Sequence, residues 1–452
     1  MSKDYSSSIK LTGKIIDAWL PWKVKYSRIP GVAVGITYRG KLVYDRGFGY
    51  ADIEKKVKMS PRNCFRIASI SKNFTAFAVM SLVEEGKIKL GDKVGKYLPW
   101  FSKQASKSAG VTIRQLLTHS SGVFRDGEAP HWENDVFPDR AAFKKMVNAR
   151  TTVMKPPAKF KYSNFGYSLL GEVVRTASGL SYDEYVMRRI IKPLGLKSTW
   201  PDLTPAAAKK LSRGYSRIIP GEKRKAFAYF PVKAFAPATG FISNVPDLAK
   251  YLAAWSIRSG KLASRATKKT MFESHVPIND KGSAYGFGFR TAPLGKRKLI
   301  GHGGGFAGFM TALWFDPASE IGVIVLINGN SANSYALCRG IFETIYRLHD
   351  ETRLIAGKRI TGGARYDGTY RARWFDAIIV NLGSSLAVFD PSEESPLKNA
   401  DLLFPLGGNR FRMETVSNFE PFGEVSTFYF KGKNRKAAIY DSANAHPAKR
   451  IA

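Results

Sequence analysis

The chain has 452 residues, 44% hydrophobic and 24% charged, with 71 Lys and Arg against 36 Asp and Glu, a formal net charge of +35. This composition is that of a globular protein with room for two or three domains, and it excludes a low-complexity chain. No stretch approaches the ~20 apolar residues of a membrane span.

The charge is scattered along the chain. The runs "GEKRK" (221–225) and "KGKNRK" (431–436) are short and fall in loops, without zinc-finger spacing or an aromatic-basic RNA motif. A uniformly basic, solvated surface is therefore the expectation, and nucleic acid is not an expected partner. Cys64 and Cys338 form no C-x-x-C, so they read as buried free thiols rather than a zinc or redox pair. No metal or other cofactor is expected. At the N-terminus Asp17 interrupts the one candidate apolar segment and no small-residue cleavage site follows, so the expected compartment is the cytoplasm.

In chain order, the first ~50 residues read as a helix followed by a hairpin, "GVAVGITYRGKLVYDRGFGYAD" (31–52), with two Val/Ile/Tyr-rich runs around "RGK". Helical spacing marks 71–86, 112–122, 165–179 and 181–195. It marks 244–260 as well, with Asn244 or Ser243 as N-cap and Pro246 in the first turn. Strands follow at "AYGFGFR", "KLIGHGG", "MTALWFD" and "IGVIVLIN", then a helix at 334–350. From about residue 365 only short alternating strands remain, between Gly, Asn and Asp turns. The expected division is a domain over 1–352, a linker at 353–364 and an antiparallel β domain over 365–452.

The stretch "LIGHGGGFAGFM" (299–310) fits three motifs. As G-x-G-x-x-G it needs a following helix to meet a pyrophosphate, but two strands follow Gly308. As a lipase HGGG it needs a downstream G-x-S-x-G, which the chain lacks. The third reading is H-G-G on a strand lining a serine-hydrolase cleft of another kind. There the glycines let a substrate backbone lie against the strand edge, and a backbone N–H serves as an oxyanion donor.

Two upstream motifs support the third reading. "SISK" is S-x-x-K at a helix start, and residues three apart share a helix face, which brings the Ser69 hydroxyl within reach of the Lys72 amine. A serine needs an adjacent base, and burial lowers a lysine's pKa enough for it to serve. Tyr162-Ser163-Asn164 is Y-x-N before a helix. A tyrosine beside a lysine ammonium can exist as phenolate and take the serine proton, while Asn164 donates to Lys72 or to a substrate carbonyl. His119, at a helix end, reads as structural, and Ser71 faces either solvent or the cleft.

With S-x-x-K, Y-x-N and H-G-G in that order, and with "VTIRQLLTHSSGV", "YSNFGYSLLGEVV" and "GHGGGFAGFMTALWFDP", residues ~12–350 resemble the β-lactamase-related serine hydrolases. These are the class C β-lactamases, D,D-peptidases, D-aminopeptidases and related esterases. The resemblance implies an α+β fold: an antiparallel five-stranded sheet flanked by helices, plus a helical lobe. It implies Ser69 as nucleophile and Lys72 and Tyr162 as proton-transfer pair, with Asn164 orienting substrate and Lys72. It further implies that His302, Gly303 and Gly304 line the cleft, with the backbone N–H groups of Ser69 and Gly305 as oxyanion hole.

Where penicillin-recognising enzymes carry K-T-G, this chain has His302, a weaker and pH-dependent cation. That argues against efficient β-lactam or D-Ala-D-Ala turnover. "YDGTYRARW" (366–374) resembles the start of a lipocalin-like barrel appended to some of these hydrolases. The function implied is hydrolysis of an ester or peptide amide, D-residue peptides included, with a small molecule or short peptide as partner. Alternatives are a β-lactamase or D,D-carboxypeptidase proper, or a non-catalytic protein that binds anionic polymers. Loops 124–160 and 203–240 are the candidates for specificity.

Overall fold

A computed structural model describes residues 4–105, 109–355, 357–414, 422–432, 436–442 and 446–452. The helices longer than ten residues are α1 (Ser6–Tyr26), α2 (Ser71–Glu84), α3 (Asn164–Ser178), α4 (Val245–Trp255) and α5 (Ser334–Asp350). Two compact units emerge, and neither follows the change of sequence texture. Pro30–Ser334 forms one, and Met1–Ile29 together with Tyr335–Ala452 forms the other.

In the first unit, β1 (Gly31–Tyr38) and β2 (Lys41–Asp52) form the expected hairpin. Arg39 and Gly40 turn at φ +48° and +76°, the left-handed geometry that matches strand twist. With β3 (Arg290–Leu294), β4 (Arg297–Phe306), β5 (Phe309–Asp316) and β6 (Ile321–Ile327) they build one antiparallel sheet. Its order is Val57–Lys58, β2, β1, β6, β5, β4, β3, Ala284–Tyr285, Val276–Pro277. The five strands of the expected sheet are present as β2, β1, β6, β5 and β4, and short strands extend it at both edges. Every residue of β1 and β6 is buried, which explains why both read as unbroken apolar runs rather than alternating ones. α4 packs on β1 so closely that a Cβ at Gly35 would lie 2.4 Å from Val245 Cγ1.

Several expected helices are shorter than their periodicity. The 112–122 pattern yields only Ile113–Leu117, capped by a Thr112/Gln115 box, because His119 takes φ +57° and turns the chain. The 181–195 pattern yields Tyr182–Val186 and then a wide π turn, Met187–Ile191. α4 is capped by Asn244, whose side chain accepts the Asp247 N–H, with Pro246 in the first turn.

In the second unit, β7 (Gly368–Arg371), β8 (Asp376–Asn381), β9 (Leu386–Phe389), β10 (Asp401–Gly407), β11 (Arg410–Glu414), β12 (Val425–Phe430), β13 (Ala437–Ser442) and β14 (His446–Arg450) form a closed antiparallel barrel. Pairing of Tyr370 with Arg450 closes it. Its buried cluster, with Tyr366, Tyr370, Phe411, Phe428 and Tyr440, packs ring against ring. α1 belongs to this unit. The Trp19 indole donates to Glu393 O at 3.0 Å, and Lys14 Nζ pairs with Asp367 at 2.8 Å. Among the described residues, no helix is long and apolar enough to cross a membrane.

Candidate active site

Ser69 lies in a 3-10 turn, Ala68–Ile70, that runs directly into α2. The positive end of the helix dipole therefore lies beside its hydroxyl. Ala68 holds φ +50°, a left-handed conformation costing a non-glycine residue roughly 1–2 kcal/mol. Surrounding bonds fix it. Ile67 N donates to Phe241 O at 2.9 Å, and the Thr311 hydroxyl donates to Ile67 O at 3.1 Å. Ser71 faces neither solvent nor cleft: it is buried, donates to Ala68 O at 2.5 Å and accepts from Phe241 N at 3.0 Å.

Lys72 is fully buried one turn on, its Nζ 3.2 Å from Ser69 Oγ, 2.7 Å from Asn164 Oδ1 and 2.8 Å from Ala238 O. Asn164 Nδ2 donates to Asp126 Oδ1 at 2.6 Å, which turns the amide oxygen toward Lys72. The Tyr162 hydroxyl donates to Ser69 Oγ at 2.7 Å, and Lys72 Nζ sits 4.7 Å from the centre of its ring. Burial drives the Lys72 pKa well down, countered in part by Asp126, and drives the Tyr162 phenol up. The phenolate–ammonium pair expected from sequence is thus reversed. Desolvation favours a neutral phenol beside a neutral amine.

Stereochemistry adds a second constraint. A neutral amine has two N–H bonds and one lone pair, and carbonyl oxygens only accept. With its N–H bonds on Asn164 Oδ1 and Ala238 O, the neutral form of Lys72 would turn its lone pair to Ser69 Oγ, whereas the protonated form donates to all three.

His302 lies on β4 opposite Leu313 of β5. It is buried, with Nδ1 2.5 Å from Gly303 O and Nε2 3.0 Å from Tyr285 OH. The carbonyl can only accept, so Nδ1 carries the proton and Nε2 accepts from Tyr285. Burial, reinforced by nearby Lys72, pushes its pKa down to about 3. The expectation of a pH-dependent cation at the cleft wall is corrected on both points: His302 is neutral near pH 7 and does not line the cavity.

Ser69, Tyr162, Asn164 and Gly305 open onto a cavity of about 370 Å³. Gly303 and Gly304 are not among its lining residues. Gly304 serves close approach instead, since a Cβ there would lie 2.3 Å from Ile67 O and 3.0 Å from Ala68 Cβ. Among the described residues, no cluster of His, Cys, Asp or Glu could hold a metal.

Sequence reading missed several contributors. Arg125, Asp126 and Trp132 line the cavity and lie in the first of the two loops nominated for specificity. His119 accepts the Ser163 N–H at Nδ1 (3.1 Å), while its carbonyl takes the Lys161 N–H at 2.8 Å. Its ring lies 4.3 Å from that of Tyr162, so it braces the Y-x-N turn from both sides. Two hydrogen bonds flanking one tyrosine leave no mark in a single sequence.

An antiparallel sheet flanked by helices, with a serine and lysine at a helix start beside it, defines the β-lactamase/transpeptidase-like fold. The Beta-lactamase family model matches residues 17–340, and the chain belongs to that family, whose members are serine hydrolases. Among curated relatives, Protein flp of Staphylococcus aureus (strain MW2) is 28% identical over 322 residues, 70% of this chain and 63% of that protein. The match thus leaves more than a third of that relative unspanned. Penicillin-binding protein 4* of Bacillus subtilis (strain 168) is 29% identical over 297 residues, 61% of this chain and 62% of the relative.

Among solved structures, the octameric penicillin-binding protein homologue from Pyrococcus abyssi superposes with TM-score 0.65 at 24% identity, covering 96% of this chain and 99% of that one. A D-stereospecific amidohydrolase from Streptomyces sp. gives 0.60 at 22% identity, over 76% of this chain and 98% of that one. These two likenesses speak to fold.

Proposed function

We propose that this protein is a serine hydrolase that cleaves an ester or a peptide amide, D-residue peptides among its substrates, through an acyl-Ser69 intermediate. The observation that carries the reading is the placement of Ser69 Oγ between the buried Lys72 Nζ at 3.2 Å and the Tyr162 hydroxyl at 2.7 Å, with Nζ held by the carbonyl oxygens of Asn164 and Ala238.

In this reading Lys72 removes the hydroxyl proton as Ser69 Oγ attacks the substrate carbonyl. The developing oxyanion is received by backbone N–H groups of Ser69 and Gly305. Collapse breaks the bond to the leaving group, which takes a proton through the Tyr162 hydroxyl. A water then attacks the acyl-serine by the reverse route, releasing the acid and restoring the serine hydroxyl. Asn164 and Asp126 act on the geometry of Lys72 rather than on substrate bonds.

The test is a burst of nitrophenol from an activated p-nitrophenyl ester, followed by mass-spectrometric mapping of the acylated peptide. The expected result is a stoichiometric burst with the acyl group on Ser69, abolished in Ser69→Ala. Turnover by Ser69→Ala at the wild-type rate overturns the proposal.

A further inference from the structure

His302 leaves one task unassigned. Relatives with K-T-G have a cation there for a substrate carboxylate, whereas here the imidazole is neutral, buried and hydrogen-bonded to Tyr285 and Gly303. The charged side chains lining the cavity are Arg125 and Asp126. Asp126 is engaged at both oxygens, Oδ1 by Asn164 Nδ2 and Oδ2 by Arg125 Nε at 3.2 Å.

Arg125 differs from its neighbour. Its side chain is 69% exposed, with Nε in an ion pair 3.2 Å from Asp126 Oδ2 and the guanidinium 6.0 Å from the centre of the Tyr162 ring. Its two terminal nitrogens have no hydrogen-bond or ion-pair partner among the described residues. The backbone is fixed independently, because its carbonyl takes the N–H groups of Asn164 and Phe165 at 2.8 and 3.0 Å. A guanidinium with Nε turned to its own neighbour presents its terminal N–H groups as a planar fork, the geometry that matches a carboxylate. The net charge of +35 adds a long-range field of the same sign.

We infer that Arg125 is the specificity-determining cation of this cavity, and that it selects substrates carrying a carboxylate on the acyl or leaving portion. The inference rests on the hydrolase reading above. Arg125 takes no part in proton transfer. It binds the pendant carboxylate and so places the scissile carbonyl at Ser69.

The test compares two p-nitrophenyl esters of equal chain length, the hemiglutarate, which ends in a carboxylate, and the valerate, which ends in a methyl. Wild type favours the hemiglutarate in kcat/KM. Arg125→Ala reduces the hemiglutarate-to-valerate ratio by about tenfold or more, chiefly through KM, in keeping with loss of a charge-assisted bidentate contact. Arg125→Lys restores part of the ratio, and Arg125→Glu inverts it. A ratio unchanged in both Arg125→Ala and Arg125→Glu overturns the inference, including the case where both esters slow equally.

Equilibrium titration of the same esters onto Ser69→Ala, which cannot acylate, separates the two readings. Discrimination in binding that depends on Arg125, without turnover by wild type, sinks the hydrolase reading alone. Binding without discrimination sinks this one.

Discussion

In the proposed mechanism Lys72 is the residue on which the chemistry turns, and its environment makes a sharp kinetic prediction. Burial depresses its pKa in the folded protein, so kcat/KM rises with pH as the amine deprotonates, with the limb below lysine's ordinary value of ~10.4. Lys72→Arg keeps the charge but installs a group that stays protonated. The expected loss in kcat/KM is about 10²- to 10⁴-fold, the range of a missing general base. A loss under about fivefold would assign the base elsewhere.

His302 gives a second residue-level prediction, on stability. Its folded pKa near 3 lies below the unfolded value of ~6.5, so the unfolded chain binds the extra proton between those values. Stability is complete above pH ~6.5 and falls as pH drops toward 3, by roughly 4–5 kcal/mol from this one group. In His302→Gln, which does not titrate, Tm falls less steeply between pH 7 and pH 4, as calorimetry will show. An unchanged slope would mean that His302 is not buried neutral.

At this scale the motifs named the side chains and missed their states. S-x-x-K and Y-x-N place Ser69, Lys72, Tyr162 and Asn164 within one hydrogen-bonded group. The protonation of that group depends on burial, and Ala238 contributes only a backbone carbonyl, which no residue type encodes.

Among the elements, the decisive contact is between strand β4 and the turn that carries Ser69. Gly304 is the closest approach, so Gly304→Ala must push the strand or the turn aside. Overpacking of this kind costs roughly 1–3 kcal/mol, and a displacement of an ångström at the nucleophile costs up to about 100-fold in rate. The expected phenotype is a folded protein with slowed acylation. Gly303→Ala is the comparison, because its Cβ would meet only Thr311 O, at 3.6 Å; its loss in kcat/KM should be about fivefold smaller or less. Equal losses would show that the glycines act through backbone freedom rather than closeness to the turn. Most strands were legible from period and length, as was the hairpin around residues 39–41; "AYGFGFR" was not, since it holds only Ala284–Tyr285 and the first residue of β3, with the chain leaving the sheet between them. The 112–122 helix was not, since its early end depends on His119 adopting a left-handed φ and bracing residues 161–163 from far along the chain.

Across the whole molecule, chain order and compactness part company. The change of texture at about residue 365 marks where the barrel strands begin, but α1 and α5 fall in the barrel's compact unit. A sequence read in order cannot show this, because the bonds joining α1 to the 381–393 region span more than 360 residues. Elements that share a compact unit tend to open together. In the intact chain, hydrogen exchange should therefore show α1 and strand β8 gaining and losing protection in concert, separately from α2. Trp19→Phe deletes the indole bond to Glu393 O and should lower the opening free energy of both by about 1 kcal/mol, leaving α2 unaffected. If α1 instead exchanges with α2, or frays alone, the non-contiguous unit is a packing arrangement without cooperativity. The boundary at 353–364 would then be the better description of how the protein unfolds.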